Sequence, residues 1–139
     1  MPNILLRPWR RAIDFRGRAT RTEYWLFVVQ LIVVFFLWSF LVGAVSALFD
    51  SPVLAGLLGM VSMLYLLFVF VASLAAAVRR LHDHDKTGWL YLITLVPLVG
   101  WIFYLIMMLT PGTRGENSYG YDPREGDRPT ADEMVQVFS

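Results

Sequence analysis

The sequence predicts an all-α, polytopic membrane protein: two long transmembrane helices followed by a third apolar segment that is either kinked or re-entrant. Three observations lead there. Hydrophobic residues make up 57% of the 139-residue chain and charged residues 17%, against roughly a quarter charged in soluble domains. A chain this short cannot hide that much apolar surface inside itself. Between Tyr24 and Val78 the single charged residue is Asp50, and a second uncharged stretch runs from Thr87 to Thr113.

The elements follow in chain order. Residues 1–19 form a basic interfacial leader in which Ile4, Leu5, Leu6, Trp9 and Ile13 alternate with Arg7, Arg10 and Arg11. Such a pattern suits a short surface helix, limited in length by Pro8 and Gly17. Thr20-Arg21-Thr22-Glu23 matches a capping box, in which Thr20 accepts from the Glu23 amide and the Glu23 carboxylate reaches back. The first span therefore covers about residues 20–49, and it is far longer than the h-region of a signal peptide. Its apolar part, Tyr24–Phe49, would extend for about 39 Å at 1.5 Å per residue, beyond the roughly 30 Å hydrocarbon layer. Ser51 and Pro52 then act as helix cap and first helical residue. The second span covers about 52–80.

The third segment covers about 88–110 and carries Pro97 and Gly100 near its middle. Proline removes a helical hydrogen bond and kinks or breaks the helix. Length alone favours one kinked crossing, because each arm of a hairpin would hold only about ten residues, or ~15 Å of helix. A re-entrant hairpin turning at Pro97–Gly100 has charge in its favour, since it would place all twelve Lys and Arg residues on one side. Residues 111–139 are a polar tail, rich in turn residues at Pro111, Gly112, Gly115 and Gly120 and acidic beyond Pro123.

Charge sets the orientation. Residues 1–23 hold six arginines, the Asp50 turn holds no basic residue, and residues 79–88 hold Arg79, Arg80 and Lys86. The positive-inside rule then puts the N-terminus and residues 79–88 in the cytoplasm and Asp50 outside. Trp9, Tyr24, Trp25, Trp89 and Tyr91 fall at the interfaces, where amphipathic rings are favoured. The net charge of +1 gives no reason to expect nucleic acid as a partner. Anionic lipids of the bilayer are the expected partner. Small residues recur at helical spacing as Ser39, Gly43 and Ala47 in the first span and as Ala72 and Ala76 in the second. These rows suit close packing of the two helices, or homo-oligomerisation through the same faces.

Three polar clusters bracket the spans. They are Gly17-Arg18 through Arg21, Glu23, Tyr24 and Trp25; Arg79-Arg80-Leu81-His82-Asp83 followed by Gly88-Trp89; and Pro111-Gly112-Thr113 through Gly115, Asn117, Tyr119, Gly120, Asp122 and Pro123. In this order, with Pro97-Leu98-Val99-Gly100 inside the third apolar run, they resemble the bacterial membrane family known as domain of unknown function 805 over about residues 12–123. The resemblance implies a small inner-membrane protein without an assigned activity. It gives His82 and Asp83 more weight than His84 and Asp85.

The residues themselves offer two readings of the clusters. Arginines at a cytoplasmic helix end anchor it in anionic headgroups and pair with nearby acids. Alternatively, Arg16, Arg18, Arg21, Arg79, Arg80, His82, Asp83, Arg114 and Asn117 form a pocket whose guanidinium forks take a phosphate or carboxylate. A metal site at His82, Asp83, His84 and Asp85 is the weaker alternative, because alternate residues converge only in an extended loop and the adjacent cations oppose a metal ion. No cofactor is expected. The chain has no cysteine, which removes thiolate catalysis and Cys-based metal centres, and it contains no P-loop, Rossmann, H-E-x-x-H or G-x-S-x-G motif. A non-catalytic membrane component that binds an anionic headgroup or a partner is the leading expectation. An enzyme acting on a lipid phosphate, or a transporter component working as an oligomer, is the alternative.

Overall fold

The computed structural model describes residues 5–124, so the acidic run after Pro123 lies largely outside the described residues. Four helices follow one another: α1 (Arg7–Arg10), α2 (Arg21–Leu48), α3 (Pro52–Asp83) and α4 (Val99–Leu109), with a 3₁₀ segment, Gly88–Leu95, between α3 and α4. The protein is helical, with two long apolar helices and a shorter one.

The ends of α2 and α3 form where local chemistry demands. Thr20 caps α2 by accepting from the Glu23 amide at 3.1 Å, and Ser51 caps α3 by accepting from the Leu54 amide at 3.4 Å, with Pro52 in the first turn. The reciprocal half of the capping box does not form: Glu23 is buried, and among the described residues its Oε1 has no hydrogen-bond partner. At its other end α3 closes with a Schellman motif. Asp85 takes a left-handed φ of 56°, its amide bonds the His82 carbonyl at 3.0 Å, and the Lys86 amide bonds the Leu81 carbonyl at 3.0 Å.

Helices α2 and α3 run antiparallel around the Asp50-Ser51 turn. Phe27 and Leu31, four apart on the inward face of α2, share one buried cluster with Ala72 and Ala76 of α3, and Val69 packs against it. Trp38 donates to Ser62 at 3.0 Å and lies against Tyr65. This seam decides which face of α2 is outward. Ser39, Gly43 and Ala47 lie outside it and are exposed, and a Cβ added at Gly43 would meet nothing within 4 Å. The expectation that this row packs against the second helix is therefore corrected, whereas Ala72 and Ala76 are buried. Most apolar side chains point outward, including Phe40 at 77% and Met63 at 75% exposure, as lipid-facing helices require.

The third apolar segment doubles back. Gly88 starts it against Val78 near the end of α3, and α4 ends beside the same helix end, with Met107 bonded to His84 and Thr110 to Arg80. Between these points the two arms touch at Tyr91 and Tyr104, whose ring centres are 5.7 Å apart, and at Ile93 and Gly100. The expectation from length, a single kinked crossing, is thus corrected to a hairpin. Eight residues at about 2.0 Å rise match eleven at about 1.5 Å, so both arms are ~16 Å long. The tip is a γ-turn: Leu98 has φ 62° and ψ −63°, and the Val99 amide bonds the Pro97 carbonyl at 2.7 Å. The Val96 and Gly100 amides are also bonded, and Pro97 has no N–H to satisfy. The tip can enter an apolar medium because few of its backbone groups need water.

Candidate functional site in a buried arginine and aspartate layer

The hairpin brings all three polar clusters to one end of the helix pair. Arg18, Arg79, Arg80 and Asp83 are there 3%, 1%, 0% and 1% exposed. Charges buried this deeply persist only when paired. Asp83 is the hub. Its Oδ1 accepts from the Arg18 guanidinium at 2.9 Å, its Oδ2 from Arg80, and its main-chain carbonyl from the Thr113 amide at 2.8 Å. One residue thus ties the leader, α3 and the tail together.

The guanidinium groups reach onward to the backbone. Arg18 donates to the Gly115 carbonyl at 2.6 Å and to the Thr113 carbonyl. Arg80 donates to the carbonyls of Thr110 and, at 3.5 Å, Ala19. Arg79 turns toward the leader and donates to the Arg11 and Asp14 carbonyls, while its own carbonyl accepts from the Ala19 amide at 3.1 Å. Among the described residues, the Nε atoms of Arg79 and Arg80 have no partner. The Asp14 carboxyl is held below the usual carboxylate range, first by the Arg16 amide and then, against the effect of burial, by Arg11 and Arg79.

The layer also closes helix ends. The last carbonyls of α4 have no partner within the helix, and side chains from elsewhere supply one each. His84 Nε2 meets the Met107 carbonyl at 2.7 Å, Trp25 donates to Met108 at 3.2 Å and Arg21 to Leu109 at 3.1 Å. The tail does the same for α3: Asn117 donates to the His82 carbonyl at 2.9 Å. Gly112 lies so close to Asp83 that a Cβ would overlap both its carboxylate and its carbonyl. Gly115 and Gly120 have φ of 73° and 122°, conformations that favour glycine. Tyr119 stacks on His82 with ring centres 3.9 Å apart. Burial by itself would raise the Asp122 pKa, but the Arg124 amide and guanidinium and the Gly115 amide outweigh it and hold Asp122 ionised.

Of the residues expected to share a pocket, Arg18, Arg79, Arg80, His82, Asp83 and Asn117 meet in this layer. Arg21 is exposed but caps α4. Arg16 and Arg114 are exposed and outside it. The four residues of the metal alternative diverge: His82 Nδ1 faces the Gly17 carbonyl at 3.2 Å, Asp83 faces the arginines, His84 faces Met107, and Asp85 accepts from the Ser118 amide. Gly112, Thr113, Trp25 and Gln30 also contribute, though none of them is among the residues expected to form the pocket. Gln30 accepts from the Trp9 indole at 2.9 Å and donates to the Leu5 carbonyl at 3.2 Å, which fastens α1 against α2. A polar residue within an apolar run is the signal that marks it.

Burial, followed by repulsion from Arg80, pushes the His84 imidazole below its ordinary value of 6.5. Its folded-state pKa is lower than its unfolded one, so its contribution to stability is complete above about pH 6.5. That contribution is lost as acidification passes the depressed value. A melting series between about pH 8 and about pH 5 should show this loss. His84→Gln, which donates without titrating, should flatten the curve there. Parallel loss in both proteins would assign the pH dependence to another group.

The motifs that build this layer also relate the chain to known proteins. The model of the family described as Protein of unknown function (DUF805) matches residues 12–121. The chain belongs to the DUF805 family. It is 43% identical over 115 residues to Inner membrane protein YhaI of Escherichia coli strain K12, which covers 82% of this chain and 89% of that protein. It is 35% identical over 119 residues to Inner membrane protein YhaH of the same strain, covering 86% and 94%. No solved structure matches it. Both DUF805 relatives carry inner-membrane names, in keeping with the two long apolar helices found here.

Proposed function

We propose that this protein is a non-catalytic, multi-pass inner-membrane component with its N-terminus in the cytoplasm. Its buried layer is a latch at the cytoplasmic face, and its exposed arginines rest on anionic headgroups. The observation that carries this reading is that, among the described residues, the bonding partners of Arg18, Arg79 and Arg80 are Asp83, main-chain carbonyls and the Thr113 hydroxyl. Guanidinium groups that capture a diffusing anion or polarise a substrate must face solvent, and these face the chain. Among the described residues the exposed cations are Arg10, Arg16, Arg21, Lys86, Arg114 and Arg124, each worth about 1 kcal/mol near an anionic membrane surface.

Topology tests the reading first. In this cysteine-free chain, single cysteines at Asp50, Asp85 and Ser118, all exposed, are probed with an impermeant maleimide in intact cells. Positions 85 and 118 should be protected together and 50 labelled. Labelling of 85 but not 50 would reverse the orientation, and labelling of 118 alongside 50 would break the one-sided latch. For headgroup contact, phosphatidylglycerol should raise the melting temperature in a salt-sensitive way, and Arg16→Gln with Arg114→Gln should diminish that rise. A melting temperature indifferent to lipid charge would reject the headgroup role.

A further inference from the structure

Beside the latch lies a cavity of about 430 Å³ lined by residues from the leader, α3, the 3₁₀ arm and the tail. We propose that it seats one acyl chain of an anionic phospholipid, with the glycerol phosphate at its polar end. The proposal rests on the membrane orientation argued above and goes beyond it, because it assigns one lipid to one built site in place of a diffuse rim.

The lining is polarised along the helix axis. His82, Thr87 and Tyr119 stand at the end level with the latch, and Leu74, Val78 and Leu92 continue it into the apolar part of the molecule. From His82 to Leu74 along α3 is eight residues, or about 12 Å. A cavity polar at one end and apolar over the rest fits an amphiphile and does not fit a free phosphate or a nucleotide. Its volume falls in the range of about 300–1,000 Å³ of small-ligand sites. Trp89 and Leu92, which line it, are themselves exposed, so the cavity opens on the same lateral surface as the lipid-facing helices.

The polar end has hydroxyls to offer. His82 Nδ1 is engaged by the Gly17 carbonyl, and the stacking of Tyr119 on the His82 ring fixes that wall. The Thr87 side chain makes no cap hydrogen bond to the 3₁₀ segment it precedes. Among the described residues no charged side chain lines the cavity, but exposed Lys86 adjoins Thr87 and exposed Arg16 adjoins Phe15 in the chain. Two cations are thus next in the chain to lining residues, and no charge enters the apolar part. This arrangement favours an anionic over a zwitterionic headgroup.

The test is competition between phosphatidylglycerol and phosphatidylcholine, equal in amount and in acyl composition, for the full chain, read by native mass spectrometry. The wild type should retain one phosphatidylglycerol per chain. Leu74→Trp, which fills the apolar end without touching the latch, should reduce retention about tenfold, the equivalent of ~1.4 kcal/mol. Thr87→Val with Tyr119→Phe should lower retention of both lipids while the protein stays folded, and Lys86→Gln should lower the preference for phosphatidylglycerol. Glycerol 3-phosphate should not compete. Undiminished retention by Leu74→Trp protein that melts like the wild type would overturn the proposal, as would equal competition by glycerol 3-phosphate. The broader rim reading fails differently, through indifference of stability to lipid charge, so the two failures are told apart.

Discussion

Asp83→Asn is expected to destabilise the protein by about 3–5 kcal/mol, the usual effect of removing one partner from a buried ion pair. Arg18 and Arg80 would be left facing each other, both buried, without the carboxylate that bonds them. Asparagine keeps the shape of the side chain, so the loss would report charge rather than volume. Because the same arginines hold the Thr110, Thr113 and Gly115 carbonyls, the tail should loosen as the latch fails. A cysteine at Ser118 should then react faster in permeabilised membranes, and melting in detergent should fall in parallel. Wild-type melting with unchanged reactivity at 118 would show that the layer does not hold the tail.

Gly100→Ala is expected to cost about 1–3 kcal/mol or more, as overpacking of fixed structure does. An added Cβ would enter the Ile93 carbonyl and press on the Thr94 Cα. Both obstacles are backbone, so no side chain can swing aside, and the arms of the hairpin must part. Gly43→Ala is the matched control. Its Cβ meets nothing, and alanine is favoured over glycine within a helix by about 0.5–1 kcal/mol. Its melting temperature should hold or rise. If the Gly100 variant melted with the control, the arms would not be in contact and the hairpin would be wrong.

Much of the architecture was legible in the chain. Uninterrupted apolar runs specify membrane helices because a bilayer demands length and apolarity and little else. Thr20, Ser51 and Pro52 place helix starts because a cap acts within three residues. The four ordered motifs pointed to the family. The third apolar run was not resolved, because the 21-residue stretch Trp89–Leu109 is long enough for one crossing as well as for two half-depth arms. The packing face of α2 was not resolved either, because small residues permit close approach and cannot force it; Trp38, seated on Ser62 and Tyr65, turns the Ser39-Gly43-Ala47 row outward.

By itself the sequence determined that this is a helical membrane protein with arginines and an aspartate grouped at the helix ends. The tertiary structure alone decided what those charges do. Arg18 and Asp83 are 65 residues apart and Arg18 and Gly115 are 97 apart, separations over which local propensity carries no information. Only the return of the hairpin brings the tail carbonyls to the guanidinium groups. Once it does, buried polar groups must find partners or stay costly, and Asp83, lying where leader, α3 and tail converge, is the residue that satisfies all three.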